Sequence, residues 1–298
     1  MEAIKIKEVT KRYDTGTQAL QGVDIEVKEG SMTALLGANG AGKTTIIGIL
    51  TGLVKKTSGQ IAVMGKDIDL YPEETRALIG VVPQEFNFNI FEKVLDIVVN
   101  QAGYYGVPKK VATKKAEELL KELGLWEKRN DMSRTLSGGM KRRLLIARAL
   151  VHEPKILLLD EPSAGVDVEL RRGMWEFIRK LHQKGTTILL TTHYLEEAEQ
   201  LCERVIIMKK GTVVVEGAVK ELLRGRESHG FILSVEGKIT EGGEYRLSRI
   251  DEEKVEATVV SNKSITDLVD YLKTQNVVVR DISAKGNRLE ELFLELSA

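Results

Sequence analysis

The sequence predicts an α/β chain: a parallel sheet core covered by helices, an antiparallel β edge, an inserted helical subdomain, and a small α+β domain at the C-terminal end. Three observations predict it. Short runs at 78–82, 155–160 and 186–192 are apolar on both faces, as parallel strands sheathed by helices are. A Gly-rich turn separates an apolar run at 31–36 from a helical pattern that begins near residue 42. After about residue 222 the longer helical patterns give way to short alternating strands.

Each element follows in order. Residues 3–9 and 19–28 alternate apolar and charged side chains and read as edge strands, joined through the turn residues Asp14-Thr15-Gly16. Residues 31–36 form a buried strand, and a helix runs from about 42 to 52. From 92 to 152 the pattern is helical, with Lys114 to Leu123 amphipathic and Gly124 as its stop, so a helical subdomain is expected over about 86–152. A first domain is expected over 1–222 and a second over 223–298, the latter with strands at 230–237, 244–249 and 254–260, a helix at 264–274, a strand at 276–283 and a closing helix at 287–297. No internal repeat, low-complexity tract or coiled-coil run interrupts this order.

Composition excludes several function classes. The 298 residues are 42% hydrophobic, enough for a substantial core. Lys+Arg and Asp+Glu each total 44, so the net charge is zero, which argues against nucleic-acid binding through a broad basic surface. Cys202 is the single cysteine; no internal disulfide can form, and its place before the apolar run Val205 to Met208 reads as a buried structural thiol in a reducing, cytoplasmic setting. The N-terminus reads as a strand and not as a signal peptide, and no apolar run approaches the roughly 20 residues that cross a bilayer. The chain is therefore expected not to span a membrane.

The chemistry is concentrated at four places. Gly37-Ala38-Asn39-Gly40-Ala41-Gly42-Lys43-Thr44 fits the P-loop pattern G-x-x-x-x-G-K-[ST] in its required strand–loop–helix context. There the backbone N–H groups cradle phosphate oxygens, Lys43 reaches the β/γ-phosphates and the Thr44 hydroxyl can ligate Mg²⁺. The apolar strand Ile156 to Leu159 ends in Asp160-Glu161, and paired carboxylates at the end of a buried strand call for something positive or reactive beside them. Asp160 is expected to hold Mg²⁺ through water and Glu161 to orient the attacking water. His193 ends the strand Thr186 to Thr192 on the same sheet edge, where ligands bind in open α/β sheets, and is read as a γ-phosphate or water contact. His152, His182 and His229 have no such placement and read as surface or packing residues. Finally, Ser137-Gly138-Gly139 at a helix N-terminus makes a second anion cradle of N–H groups, a hydroxyl and a helix dipole.

Taken together, Leu136-Ser137-Gly138-Gly139-Met140-Lys141-Arg142-Arg143 between a P-loop and an Asp-Glu strand resembles the signature motif of ABC transporter ATPases. The resemblance covers about residues 1–222 and implies a P-loop ABC-type ATPase cassette that binds ATP with Mg²⁺ and hydrolyses it. It implies that Tyr13 stacks on adenine, that Thr45 joins Gly37–Thr44 in binding nucleotide, and that Gln84 senses Mg²⁺ and the γ-phosphate, completing a metal set of Thr44, Gln84 and Asp160. It implies that Ser163 to Asp167, with Asp167 foremost, mediates communication within a dimer. In this family ATP lies between the P-loop of one subunit and the Ser-Gly-Gly of the other, so Ser137, Gly138 and Gly139 are expected to act across a homodimer. Ala38 stands where the family often has Pro, and Met140 replaces a frequent Gln; neither side chain holds phosphate.

Gly103-Tyr104-Tyr105-Gly106-Val107-Pro108, Thr192-His193-Tyr194-Leu195-Glu196-Glu197-Ala198-Glu199 and Arg288-Leu289-Glu290-Glu291-Leu292-Phe293 look like ATP-binding subunits of bacterial type-2 ABC exporters. That likeness implies a homodimer at the inner face of the cell membrane, beneath a separate six-helix permease. An importer ATPase is the alternative within transport. A soluble repair or chromosome ATPase would need hundreds of coiled-coil residues where only 93 positions separate Thr44 from Ser137, and a translation factor would need two cassettes. Phe86, Phe88, Ile90 and Phe91 form an apolar cluster read as the permease docking segment; burial under the cassette's own helices is the competing reading. Lys141, Arg142 and Arg143 read as a solvated face or an internal ion-pair set.

Overall fold

The alternating N-terminal residues pair as expected. β1 (Glu2–Arg12) and β2 (Gln18–Lys28) run antiparallel, and the turn between them is closed by Tyr13 N donating to Thr17 O at 3.0 Å. The computed structural model describes residues 1–164, 167–224, 228–237, 239–251, 253–260, 263–284, 289, 292 and 293. Two units divide the chain, Met1–Gly217 and Ala218–Ala298, where the sequence placed the change at 222/223.

In the first unit β3 (Met32–Gly37) is buried along its whole length and feeds α1 (Lys43–Leu50) through the Gly-rich turn. β4 (Ser58–Val63) and β5 (Lys66–Asp67) return beside β1, giving an antiparallel sheet in the order β2-β1-β4-β5. α2 (Pro72–Ala77), with Pro72 at a position whose N–H would be orphaned anyway, leads into β6 (Ile79–Val82). The helical segment follows as α3 (Val94–Tyr104), α4 (Lys109–Glu122) and α5 (Gly138–Leu150). These pack on one another through buried apolar side chains such as Val98, Ala116 and Leu144. β7 (Ile156–Asp160), α6 (Val168–Gln183), β8 (Thr187–Thr192), α7 (Leu195–Leu201), β9 (Arg204–Lys209) and β10 (Thr212–Ala218) complete the unit.

The central sheet has six strands in the order β10-β9-β3-β8-β7-β6, and the pairs from β9 through β6 are parallel. Every residue of β3, β7 and β8 is buried, each large aliphatic side chain contributing about 2 kcal/mol by leaving water. Parallel pairing fixes the polarity of the site. The register sets Leu36 opposite Thr192, Asp160 opposite Thr191 and Val82 opposite Leu159, so β3, β6, β7 and β8 all end on one edge. Cys202 caps the end of α7 and is buried, and burial raises its thiol pKa well above the ordinary value.

The second unit opens with α8 (Val219–Arg224) and builds an antiparallel sheet from β11 (Ser228–Glu236), β12 (Ser248–Arg249), β13 (Lys254–Val260) and β14 (Val278–Ala284), ordered β12-β13-β11-β14. α9 (Ile265–Thr274) packs Leu268 and Leu272 against Phe231, Leu233, Val255 and Ala257. Its start is fixed by a reciprocal cap: Ser264 Oγ accepts from Asp267 N at 3.2 Å, and Asp267 Oδ2 accepts from Ser264 N at 2.7 Å. The strand expected over 244–249 is a correction. Only Ser248–Arg249 is strand, because positive φ at Gly242 (83°), Gly243 (69°) and Arg246 (45°) curls the preceding residues into turns. The closing helix expected at 287–297 lies outside the described residues apart from 289, 292 and 293.

Candidate active site

The turn after β3 is shaped by backbone demands that only glycine meets. Gly42 adopts φ 107° as the cap of α1, and a Cβ there would sit 2.8 Å from Leu20 Cδ2 and 2.9 Å from Ala19 O. Ala38, Asn39 and Gly40 are exposed, which leaves the loop open to a ligand. Lys43 is buried beneath it, donating to Gly37 O at 2.7 Å and Ala38 O at 3.2 Å. Burial lowers its ammonium pKa, while the nearby charges of Glu161 and Asp160 act in the opposite sense. Thr44 is exposed and Thr45 half-buried; Tyr13 OH lies 3.3 Å from Thr45 Oγ1, with Lys11 Nζ 4.8 Å from the Tyr13 ring centre. The sequence-distant aromatic is thus brought to the first turn of α1.

Asp160 and Glu161 part ways in environment. Asp160 is buried, and Thr191 Oγ1 donates to its Oδ1 at 2.5 Å. Burial raises its pKa; the Thr191 bond and the charges of Lys43 and Arg142 pull the other way. Glu161 stands just past the strand with φ 47°, a left-handed conformation costly for a residue with a Cβ. Its N–H is anchored to Thr191, donating to O at 3.0 Å and lying 3.2 Å from Oγ1. That turn aims the carboxylate at two partners: Gln84 Nε2 donates to Glu161 Oε2 at 3.1 Å, and His193 Nδ1 lies 3.1 Å from the same oxygen.

The structure therefore gathers Lys43, Gln84, Asp160, Glu161 and His193 at one sheet edge: Lys43 from the start of α1 after β3, Gln84 from beyond β6, both acids from the end of β7 and His193 from the end of β8. Thr44 is exposed, Asp160 is buried at its strand end and Gln84 reaches Glu161 beside it; a hydroxyl, an amide oxygen and a carboxylate are donor types that suit Mg²⁺, a hard cation. Among the described residues no cluster of three or more His, Cys, Asp or Glu could hold a metal.

Ser137 caps α5, its Oγ accepting from Met140 N at 3.3 Å, and Ser137 and Gly138 are exposed. Gly139 has a packing reason the sequence did not reveal: a Cβ would sit 2.3 Å from Leu170 Cδ1 on α6. Asp167 is exposed and caps α6, Oδ1 accepting from Leu170 N at 2.9 Å; Gly165 and Val166 between it and Ser163 lie outside the described residues.

Of the apolar cluster, Phe86, Ile90 and Phe91 are exposed, Phe91 by 63%, and Phe88 is half-buried, 6.1 Å from the Phe86 ring centre. Beside it lies a groove of about 690 Å³ lined by residues including Asn87, Phe88, Asn89, Tyr104 and Arg148.

Comparison with known proteins gives the family. The family model described as ABC transporter matches residues 20–164. The "Nod factor export ATP-binding protein I" of Burkholderia pseudomallei (strain 1710b) is 40% identical over 220 residues, 74% of this chain and 72% of that protein. This chain belongs to the ABC transporter family, as one of its ATP-binding subunits. Solved ABC cassettes superpose on it. A subunit of the cbiONQ ABC transporter complex from Clostridium perfringens aligns with TM-score 0.68 at 33% identity, over 75% of this chain and 91% of that one. An ATP-binding cassette solved as a dimer in a post-hydrolysis state with ADP and Pi aligns with TM-score 0.67 at 30% identity, over 72% and 98%. In this ABC subunit no helix among the described residues is long and apolar enough to cross a membrane.

Three buried polar residues of this ABC subunit escaped sequence reasoning. Thr191 anchors both acids, and only the pairing of β7 with β8 reveals it. Arg142, read as part of a solvated or ion-paired run, is buried. Glu197 is fully buried on α7, its Oε1 accepting from Trp175 Nε1 at 3.0 Å.

Proposed function

We propose that the cassette hydrolyses ATP at this sheet edge and drives export through a separate membrane permease. The observation that carries the reading is the convergence of Gln84 and His193 on Glu161 Oε2, one residue beyond the buried Asp160. Lys43 uses two of its three N–H groups on the loop, leaving the third for the β/γ-phosphates. Backbone N–H groups of the exposed residues Ala38 to Gly40 and of the start of α1 cradle the phosphate oxygens, and Tyr13 stacks on the base beside Thr45. Thr44, Gln84 and Asp160 would hold Mg²⁺, which would supply positive charge against the charge that develops on the transferred phosphoryl group. Glu161 accepts a hydrogen bond from the attacking water and orients it, while His193 contacts the γ-phosphate side of the same pocket.

Ser137, Gly138 and Gly139 complete the site of a second copy in a nucleotide-sandwiched homodimer, and Asp167 sits at the communication loop. Support comes from the exposure of Ser137 and Gly138 and from the dimeric cassette with ADP and Pi that this chain resembles. The permease docks at Phe86–Phe91, holding the cassette at the inner face of the membrane, and the export-named relatives favour outward transport. Phosphate release from MgATP by the purified chain, compared with its Glu161→Gln variant, tests the reading.

A further inference from the structure

We infer that Arg142 is a positioning residue for hydrolysis: it clamps the backbone of Gln84 to the helix that carries Ser137, so that Gln84 and the signature cradle move as one body. The inference rests on the role proposed above for Gln84. Arg142 lies on α5, five residues after the cap Ser137, and is only 4% exposed. Its guanidinium donates to Pro83 O at 2.8 Å through Nη1 and to Gln84 O at 3.0 Å through Nη2. It also lies 5.3 Å from the Phe86 ring centre.

Both features need a reason beyond packing. A buried guanidinium normally faces a carboxylate. Here its hydrogen bonds go to two successive carbonyls instead, and the Asp160 charge acts on it without a hydrogen bond between them. Burial lowers its pKa, yet a guanidinium starts so high that it stays charged, and its desolvation has to be offset by these contacts. The planar fork holds the two peptide groups on either side of the Gln84 Cα, fixing direction as well as position, which a single ammonium cannot do. β6 ends at Val82, and Pro83, which carries no N–H, cannot donate a ladder hydrogen bond to hold the chain beyond it. The Gln84 side chain then leaves a fixed backbone towards Glu161 Oε2 at 3.1 Å. Any ligand that draws the Gln84 amide therefore pulls on α5, and with it on Ser137 at the helix start.

The test is a double-mutant cycle on the full chain: wild type, Arg142→Met, Gln84→Ala and the pair, with Arg142→Lys as a charge-retaining variant. Each is assayed for kcat and KM with MgATP, for nucleotide affinity by fluorescent-nucleotide titration, and for its melting temperature. Arg142→Met should lower kcat per folded molecule by about tenfold with KM changed less than about twofold, since the P-loop is untouched. Arg142→Lys should fold and still lose most of that kcat, because charge without the fork does not fix the peptide. The double variant should be no slower than Gln84→Ala alone. Multiplicative losses, or full kcat in both folded Arg142 variants while Gln84→Ala is slow, would overturn the clamp and leave the proposed function standing. Full kcat in Gln84→Ala would overturn it by removing the residue it positions. A wild-type chain that releases no phosphate from MgATP would remove both.

Discussion

Glu161 Oε2 lies 3.1 Å from Nδ1 of His193, although 32 positions separate the two residues and each ends a different parallel strand. The contact exists because β7 and β8 end together and because Glu161 bends back at φ 47°. Glu161→Gln keeps the size of the side chain and removes the base. It should retain nucleotide binding and lose turnover by about 100-fold or more, read as phosphate release in single- and multiple-turnover assays. Wild-type rates in the variant would sink the role given to Glu161.

Lys43 behaves differently. Lys43→Ala removes the cation beneath the loop and unties Gly37 O and Ala38 O. Nucleotide affinity should fall by about tenfold or more, since a charge-assisted hydrogen bond to phosphate contributes about 1.5–3 kcal/mol. A fluorescent-nucleotide titration with unchanged affinity contradicts the assignment.

Assembly gives a third prediction. Glu161→Gln with MgATP should shift to twice the monomer mass in light scattering, because uncleaved nucleotide holds both faces together. Adding Ser137→Arg should abolish the shift by filling the exposed cradle with bulk and charge. No nucleotide-dependent mass change in Glu161→Gln counts against a site shared between two copies.

At the docking segment, Phe91 is 63% exposed, so Phe91→Asp should leave the melting temperature and basal ATPase of the isolated chain nearly unchanged. With the membrane partner present it should weaken co-purification, because an unmated charge at an apolar interface costs about 2 kcal/mol or more. A large drop in melting temperature would make the segment core and not contact surface.

Glu197 allows a pH test. Burial raises its pKa; the facing Thr192, Trp175 and Ser163 groups and the Arg171 charge pull it down without reversing the sign. A carboxyl whose folded pKa exceeds its unfolded value costs stability as pH rises through that interval, because the folded state holds the proton more tightly. Gln does not titrate. Glu197→Gln should therefore gain stability relative to wild type as pH rises above the ordinary carboxylate range, as thermal melts at stepped pH will read. A gap that narrows with rising pH would reverse the assignment.

The strand ends were legible because the chemistry announces itself locally. A Gly-rich loop closing on Lys43 and an apolar run ending in Asp160-Glu161 each carry their own context within ten residues or so of sequence. What escaped depends on distance. Arg142 meets Pro83 O across 59 positions and hides within a basic run that reads as a solvated face or an internal ion-pair set. Gly139 reads as a cradle until Leu170 is packed on it. β4, β5 and α2 were missed for a different reason: they are short, and Ser58–Val63 lacks the apolar run of a strand buried on both faces. His152 and His182 are packing residues, as their placement implied. His152 stacks on Tyr105 at 3.7 Å, and His182 Nε2 lies 2.8 Å from Gly30 O.

The sealed sulfur at Cys202 makes the protein a ready template for spectroscopy. With its one native thiol 6% exposed and disinclined to ionise, maleimide reagents under native conditions have almost nothing to react with. A cysteine introduced at an exposed position such as Tyr104, 86% open to solvent, becomes the preferred site of attachment for a spin label or a donor dye. Approach of two cassettes could then be followed as a distance, with no need to remove the native cysteine first.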